Sequence, residues 1–295
     1  MGLGLSRNIR SLKQKILSVI KKNFKPLYFF LIFFSGLIKF IYKKNKKKNY
    51  KKYSSSIDEI NKHEFKKTSQ NNEDGIIDYI LRKIDLKNIN FVEIGFDYYE
   101  NNSLNLIKKT EKGLYIDGSQ EKCFLLKNIL KFIHFNKNIN ITNSLVNIKN
   151  VNQLIKKYFS ENEIDFLSID VDGIDYYLLK ELKFNPKVIC IEYNFWFGKD
   201  LEASVPYSDN FVWKQGTVYS GASLSALNKL ANSKGYYLIG IDTSCTNAFF
   251  IRSDFKDKFQ ILDPKSNFKT PLKYTDKEIE DARNYLLSTE LKYFN

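Results

Sequence analysis

Two groups of residues have the types and spacing for chemistry. The first is Asp170-Val171-Asp172-Gly173, which ends the apolar run DFLSIDV (165–171), with Glu192 and Asn194 at the end of the next run, VICIEY (188–193). If both runs are neighbouring strands, their ends bring four oxygen-bearing side chains together. Hard oxygen donors suit Mg²⁺ or Mn²⁺, which makes Asp170, Asp172 and Glu192 candidate metal ligands. Without a metal, Asp172 or Asp170 could serve as general base on an acceptor hydroxyl, so these two are the candidate catalytic residues. The plainer reading is that one aspartate caps the following helix while the others bind backbone or water.

The second group is Glu93-Ile94-Gly95, ending the run NFVEI (90–94), followed twenty-four positions after Glu93 by Asp117 at the end of GLYID (113–117). In a doubly wound sheet the ligand lies at the carboxyl ends of the strands, and an acidic residue at about this distance accepts both hydroxyls of a ribose. Phe96, Asp97, Tyr98 and Tyr99 stand where a dinucleotide loop has small residues. A cofactor without a pyrophosphate needs less close backbone approach, so the pattern favours S-adenosylmethionine over NAD. Asp117 could also simply cap the helix that starts near Ser119. Gly118, beside Asp117, and Ser144, just past a weak strand at 139–142, join Glu93, Gly95 and Asp117 as candidate cofactor contacts. So does Gln70, in the polar stretch SQNNEDG (69–75), although Asn71 or Asn72 could cap the helix there. A loop over 195–222 carries Phe195, Trp196, Tyr207, Phe211, Trp213 and Tyr219, a composition suited to an acceptor pocket.

The elements needed to place these residues can be read from periodicity. Helices over 73–84, 104–109, 120–132, 151–159 and 176–182 alternate with strands at 90–94, 113–117, 139–142, 165–171 and 188–193, the pattern of crossover units and a parallel sheet. The pattern then changes. A helix over 223–233 precedes YYLIGID (236–242), and only four residues separate that run from NAFFIRS (247–253). So short a connection allows a hairpin but no crossover, so the last strand must run antiparallel to its neighbour. Thr275 and Glu278 form a capping box for a C-terminal helix.

The net charge of +14 is misleading as a sign of nucleic-acid binding. Residues 1–53 hold 13 Lys and 2 Arg and no acidic residue, leaving 32 basic against 33 acidic residues in the remainder. A near-neutral domain has no electrostatic footprint for tracking phosphates, which argues against nucleic acid as a partner. The basic segment combines a helical apolar pattern over 7–24 with an apolar run between Lys25 and Lys43, roughly 26 Å long as a helix against a hydrocarbon core of roughly 30 Å. Seven basic residues precede this run and seven follow it, so charge counting assigns no orientation and favours both flanks on one face. An interfacial anchor on an anionic membrane, with the domain on the cytoplasmic side, fits that symmetry; a helix packed on the domain or on a partner chain is the alternative. Cys123, Cys190 and Cys245 are too few and too far apart for a disulfide framework or a zinc site, and a reducing compartment is the simplest setting. His63 and His134 read as ordinary surface or core residues.

The segments SQNNEDG, FVEIG, GLYIDGS, DFLSIDVDGIDY, CIEYN and YSGASLSAL through NAFFIR, spread over about 185 residues, resemble in order and spacing the FkbM-type family of class I S-adenosylmethionine-dependent methyltransferases. The resemblance implies an α/β, Rossmann-like fold with a mostly parallel seven-stranded sheet closed by an antiparallel C-terminal hairpin. It also implies Glu93, Gly95 and Asp117 at the cofactor, and acceptors that are often sugar or polyketide hydroxyls. The expected organisation is a basic anchoring segment (1–53), a linker (54–68), the methyltransferase-like domain (69–253) and a C-terminal extension with a helix (254–295). Two other readings stand beside O-methylation of a saccharide or related small molecule. Asp170-Val171-Asp172 also suits a metal-dependent nucleotide-sugar glycosyltransferase, and the chain could be a non-catalytic membrane-bound scaffold.

Overall fold

The computed structural model describes residues 18–44, 58–132 and 138–294. His134, most of the basic stretch ahead of Phe24, Lys46 to Lys52 and residues 54–57 of the expected linker lie outside the described residues.

The apolar runs form the sheet that their periodicity predicts. Strands β1 (Ile89–Ile94), β2 (Thr110–Asp117), β3 (Asn138–Asn143), β4 (Phe166–Ile169) and β5 (Val188–Glu192) are parallel where they pair, and β7 (Tyr236–Ile241) and β8 (Asn247–Arg252) form the closing hairpin. The order is β3-β2-β1-β4-β5-β8-β7, with β8 antiparallel to both β5 and β7. This is the Rossmann-like class I methyltransferase fold. Successive strands are added outward from β1 in one direction (β2, β3) and then in the other (β4, β5), so the β1 and β4 ends form the switch point where such sheets bind ligands. A small second sheet pairs β6 (Ala203–Ser204) with β9 (Lys292–Tyr293) and ties the C-terminus to the long aromatic loop.

Both faces of the main sheet are buried, which is why its strands are apolar almost throughout. Side-chain parity divides them between two cores. Val92, Ile94, Ile189, Ile191 and Phe250 face one core with helices α4 (Val151–Lys156), α5 (Asp175–Glu181) and α6 (Leu224–Ser233). Phe91, Tyr115, Phe166, Cys190 and Phe249 face the other with α2 (Glu73–Lys83) and α3 (Gln120–Phe132). The three cysteines are buried and unpaired. α7 (Asp276–Leu287) begins with the expected capping box between Thr275 and Glu278.

Residues 58–68 are built into the domain and do not stand off as a tether. Ile60 and Asn61 are buried. Glu64 accepts hydrogen bonds from Thr243 N and Oγ1 and from the amides of Asn61 and Asn72. Lys269, fully buried, reaches back to Asp58 and to Asn61 Oδ1, each at 2.6 Å. A buried lysine needs such partners, and they couple the segment ahead of the domain to the one after it. The structure also places a helix, α1 (Lys25–Lys44), against α3. Among the described residues no helix is long and apolar enough to cross a membrane.

Candidate active site

Parity and register assemble the site. In β4 and β5, Ile169 pairs with Ile191, so the next residues, Asp170 and Glu192, lie side by side on the same face. Ile94 pairs with Ile169, which puts Gly95 beside Asp170, and Glu192 pairs with Asn247 of β8. Gly95, Asp170, Glu192 and Asn247 thus form one row across the carboxyl ends of β1, β4 and β5 and the amino end of the antiparallel β8. Gly95 has φ +78°, and a Cβ there would meet the Asp170 carbonyl oxygen at 1.7 Å. Its small size therefore serves the close approach of two strand ends.

This row floors a cavity of about 540 Å³, within the range of small-molecule and cofactor sites. Of the residues expected from the sequence, Gln70, Glu93, Gly95, Asp170, Asp172 and Glu192 line it. Asp117, Gly118 and Ser144 do not. The Asp117 carboxylate accepts Phe96 N at 3.2 Å and Ser119 N at 2.6 Å, and Lys122, itself in the cavity wall, stands 3.6 Å away. Asp117 thus holds the first loop and the start of α3, one layer behind the wall. Ser144 donates its backbone N–H to the Asp117 carbonyl, and Gly118 lies against Leu145.

Other carboxylates shape the walls. Glu93 accepts the N–H groups of Asn102 and Ser103, both at 2.8 Å, and so ties the loop after β1 back to its own strand. Burial pushes its carboxyl up to about 7. Asp74 accepts three successive N–H groups, from Lys67, Thr68 and Ser69, and the hydroxyls of the last two. That network positions Gln70. Asn72 occupies the helix N-cap without a side-chain cap bond, so capping by Asn71 or Asn72 does not explain the stretch. The sequence marks Asp74 only as a member of the polar stretch leading into the helix; its role as the anchor of residues 67–69 comes from the tertiary structure.

The Asp-Val-Asp-Gly turn is held by Asp175, which accepts Val171 N at 2.8 Å and Gly173 N at 2.9 Å. The turn-capping role thus falls to the third aspartate and leaves Asp170 and Asp172 facing the cavity. Asp172 has φ +58°, a left-handed backbone that costs a non-glycine residue on the order of 1 kcal/mol and is common at functional turns. Asp170, Asp172 and Glu192 each offer an oxygen within 4.8 Å of the others. Burial, then the charges of Asp172 and Asp175, pushes Asp170 up to about 8. Burial and Asp170 raise Glu192 well above the carboxylate range, and the two carboxyls are hydrogen-bonded. Asp170 and Glu192, this close and this desolvated, cannot both ionise at neutral pH, so the pair keeps a proton.

That proton has a consequence for stability. The folded chain keeps it on Asp170 up to about pH 8, whereas an unfolded aspartate releases it at about 3.9. The folded-state value is raised, so the contribution is fully present below about pH 4 and is lost as pH rises toward 8. Asp170→Asn removes Asp170's part of this dependence, while the part that burial of Glu192 contributes remains. In buffer containing EDTA the variant's melting midpoint should exceed that of the wild type by roughly 5 °C at pH 8, with the gap narrowing as pH falls toward about 5. A gap that does not change with pH would refute the shared proton.

Aromatic residues close the cavity. Phe195, Trp196 and Trp213 of the long loop line it, joined by Tyr274 and Lys273 from the C-terminal extension. Tyr274 lies 4.7 Å from the Trp196 ring and 5.9 Å from that of Phe195. The other three loop aromatics are structural: Tyr207 packs on Tyr177, Phe211 covers Gly173, and the Tyr219 hydroxyl donates to the Glu290 carbonyl. Tyr274 was not visible as a site residue because the stretch before α7 has no periodicity. His63 stacks on Tyr79, away from the cavity.

No family model and no curated protein matches the chain. It is similar in structure to the N-terminal domain of EvdMO1 with SAH (S-adenosylhomocysteine) bound, at 12% identity and TM-score 0.43, over 62% of this chain and 80% of that one. It is likewise similar to an S-adenosylmethionine-dependent methyltransferase from Clostridium acetobutylicum, at 11% identity and TM-score 0.39, over 61% and 90% of the two chains. A third similar structure is magnesium protoporphyrin IX methyltransferase from Synechocystis with bound SAM, at 9% identity and TM-score 0.41, over 61% and 78%. The strand order described above, rather than these likenesses, establishes the fold.

Proposed function

We propose that this protein is an S-adenosylmethionine-dependent O-methyltransferase acting on a hydroxyl of a saccharide or related small molecule, as its resemblance to the FkbM-type family implies. The observation that carries the reading is the charge of the cavity at the switch point. Seven acidic side chains, Glu73, Glu93, Asp97, Glu100, Asp170, Asp172 and Glu192, line it against only Lys122 and Lys273, and those that burial keeps protonated, Asp170 and Glu192 foremost, can release their protons to a bound cation. S-adenosylmethionine is a cation at sulfur and amine, whereas a nucleotide diphosphate is an anion that these walls would repel without a metal ion between them.

When bound, S-adenosylmethionine supplies an electrophilic methyl carbon on a sulfonium. The chain's own residues do the rest. Asp117, outside the cavity lining but bonded to its wall residues Phe96 and Lys122, would take the ribose hydroxyls in exchange for those two contacts, and Glu93 keeps the first loop in place. Phe195, Trp196, Trp213 and Tyr274 offer ring faces for the apolar face of a sugar. Asp172, at the cavity mouth and raised above the usual aspartate range by burial, accepts the proton from the acceptor hydroxyl, and positioning supplies most of the remaining rate. Asp170, Asp172 and Glu192 are also a donor set that fits Mg²⁺ or Mn²⁺, which would polarise the acceptor oxygen.

Calorimetry with S-adenosylmethionine, S-adenosylhomocysteine and a panel of nucleotide sugars, with and without Mg²⁺, tests the reading. Both S-adenosyl compounds should bind and the nucleotide sugars should not. Binding of a nucleotide sugar without either S-adenosyl compound would point to glycosyl transfer, and binding of none would point to a scaffold.

A further inference from the structure

Helix α1 has two apolar faces, and the fold uses only one of them. On the inner face Tyr28, Gly36 and Leu37 are buried. The Tyr28 hydroxyl donates to Glu121, the Phe29 ring lies 4.6 Å from Phe124, and Tyr98 lies so close over Gly36 that a Cβ there would meet its ring at 2.8 Å. On the outer face Leu27, Phe30, Leu31, Phe34, Ile38 and Ile41 are exposed, between 39% and 66%. Their spacing of three and four residues makes one continuous stripe, unlike the scattered single apolar residues of an ordinary surface.

We propose that this stripe seats α1 on the surface of an anionic lipid bilayer, with the helix lying in the interface. Charge selects the occupant. The stripe lies within a segment, residues 1–53, of 15 basic and no acidic residues, while the rest of the chain is near neutral. A second copy brought against the stripe would face like charge with like, whereas anionic headgroups complement it. Docking selects the orientation. With its inner face held on α3 and Tyr98, α1 has only the outer face to insert, and lysines stand at both ends of the run, Lys21, Lys22 and Lys25 before it and Lys43 and Lys44 at its end. An amphipathic helix in this position buries its apolar side roughly 5–10 Å into the headgroup boundary. The helix leans on Tyr98 and Glu121, close in sequence to the cavity residues Asp97 and Lys122, so docking would set the cavity beside the bilayer. The proposal stands independently of the methyl-transfer reading.

The test is sedimentation of the full-length protein with vesicles of phosphatidylcholine alone and of phosphatidylcholine with phosphatidylglycerol. Binding to the anionic vesicles should be at least roughly tenfold tighter than to the neutral ones. The Leu31→Asp/Phe34→Asp/Ile38→Asp variant should lose at least roughly tenfold of that affinity, with its melting midpoint and its circular dichroism unchanged from the wild type. Should the triple variant not melt cooperatively, Ile38→Asp, at the most exposed of the six positions, replaces it. The proposal is overturned if the wild type stays in the supernatant with anionic vesicles, or if the folded variant sediments as the wild type does. It is equally overturned if the wild type is a dimer without lipid that the substitutions dissociate.

Discussion

Asp172→Asn should leave the affinity for S-adenosylmethionine within about twofold of the wild type while lowering methyl transfer by at least about a hundredfold. Asparagine is the informative replacement because it tolerates the left-handed backbone that Asp172 adopts, at φ +58°. Asp175 continues to hold the turn through Val171 N and Gly173 N. The fold and the cofactor's surroundings are therefore kept, and only the proton acceptor is lost. Transfer of labelled methyl to a panel of saccharides and other small hydroxyl compounds gives the measurement, and unchanged transfer would exclude Asp172 as the base. EDTA separates the two roles open to the carboxylate. If Asp172 works as a base, the wild type is insensitive to EDTA; if it works as a metal ligand, EDTA abolishes transfer and Mg²⁺ or Mn²⁺ restores it.

The second large effect concerns cofactor affinity. Asp117→Ala should weaken S-adenosylhomocysteine binding by at least about a hundredfold, close to 3 kcal/mol, as expected for two hydrogen bonds from a ribose to a charged acceptor. The structure adds a competing explanation, since Asp117 also holds Phe96 N and Ser119 N and pairs with Lys122. A ligand lacking the diol resolves the two. If Asp117 binds the ribose, an S-adenosylhomocysteine analogue blocked at its 2′ and 3′ hydroxyls should bind the wild type and Asp117→Ala with nearly equal, weak affinity. If the residue only orders the loop, the blocked analogue should suffer from Asp117→Ala as much as the parent compound does. Equal binding of the parent compound by both proteins would rule out either role.

Much of this protein was legible before any coordinates, for identifiable reasons. Short, nearly continuous apolar runs located the strands of the main sheet, and the four residues between 242 and 247 forced an antiparallel close whatever the rest of the chain did. The carboxyl ends of the strands are where a doubly wound sheet binds ligands, so Glu93, Asp170, Asp172 and Glu192 could be marked as site residues from their positions alone, and all four line the cavity. Local signals of this kind depend on chain geometry within a few residues.

What remained depends on contacts between distant segments. Asp170 and Glu192 share a proton because β4 and β5 pair with Ile169 opposite Ile191; a shift of one residue would turn one of them to the other face of the sheet. Asp117 sits behind the cavity wall because the Phe96 peptide folds onto it, which no spacing rule contains. Tyr274 reaches the site by packing on Trp196 and Phe195, and Asp58 to Thr68 join the domain through the Lys269–Asp58 ion pair, which links residues some two hundred positions apart. For α1, composition marked an apolar, basic segment, and tertiary structure decided which face the domain takes. The sequence thus determined which residues could do chemistry and on which edge of the sheet. Register, loop closure and helix docking, set by burial summed over the whole fold, decided which of them meet.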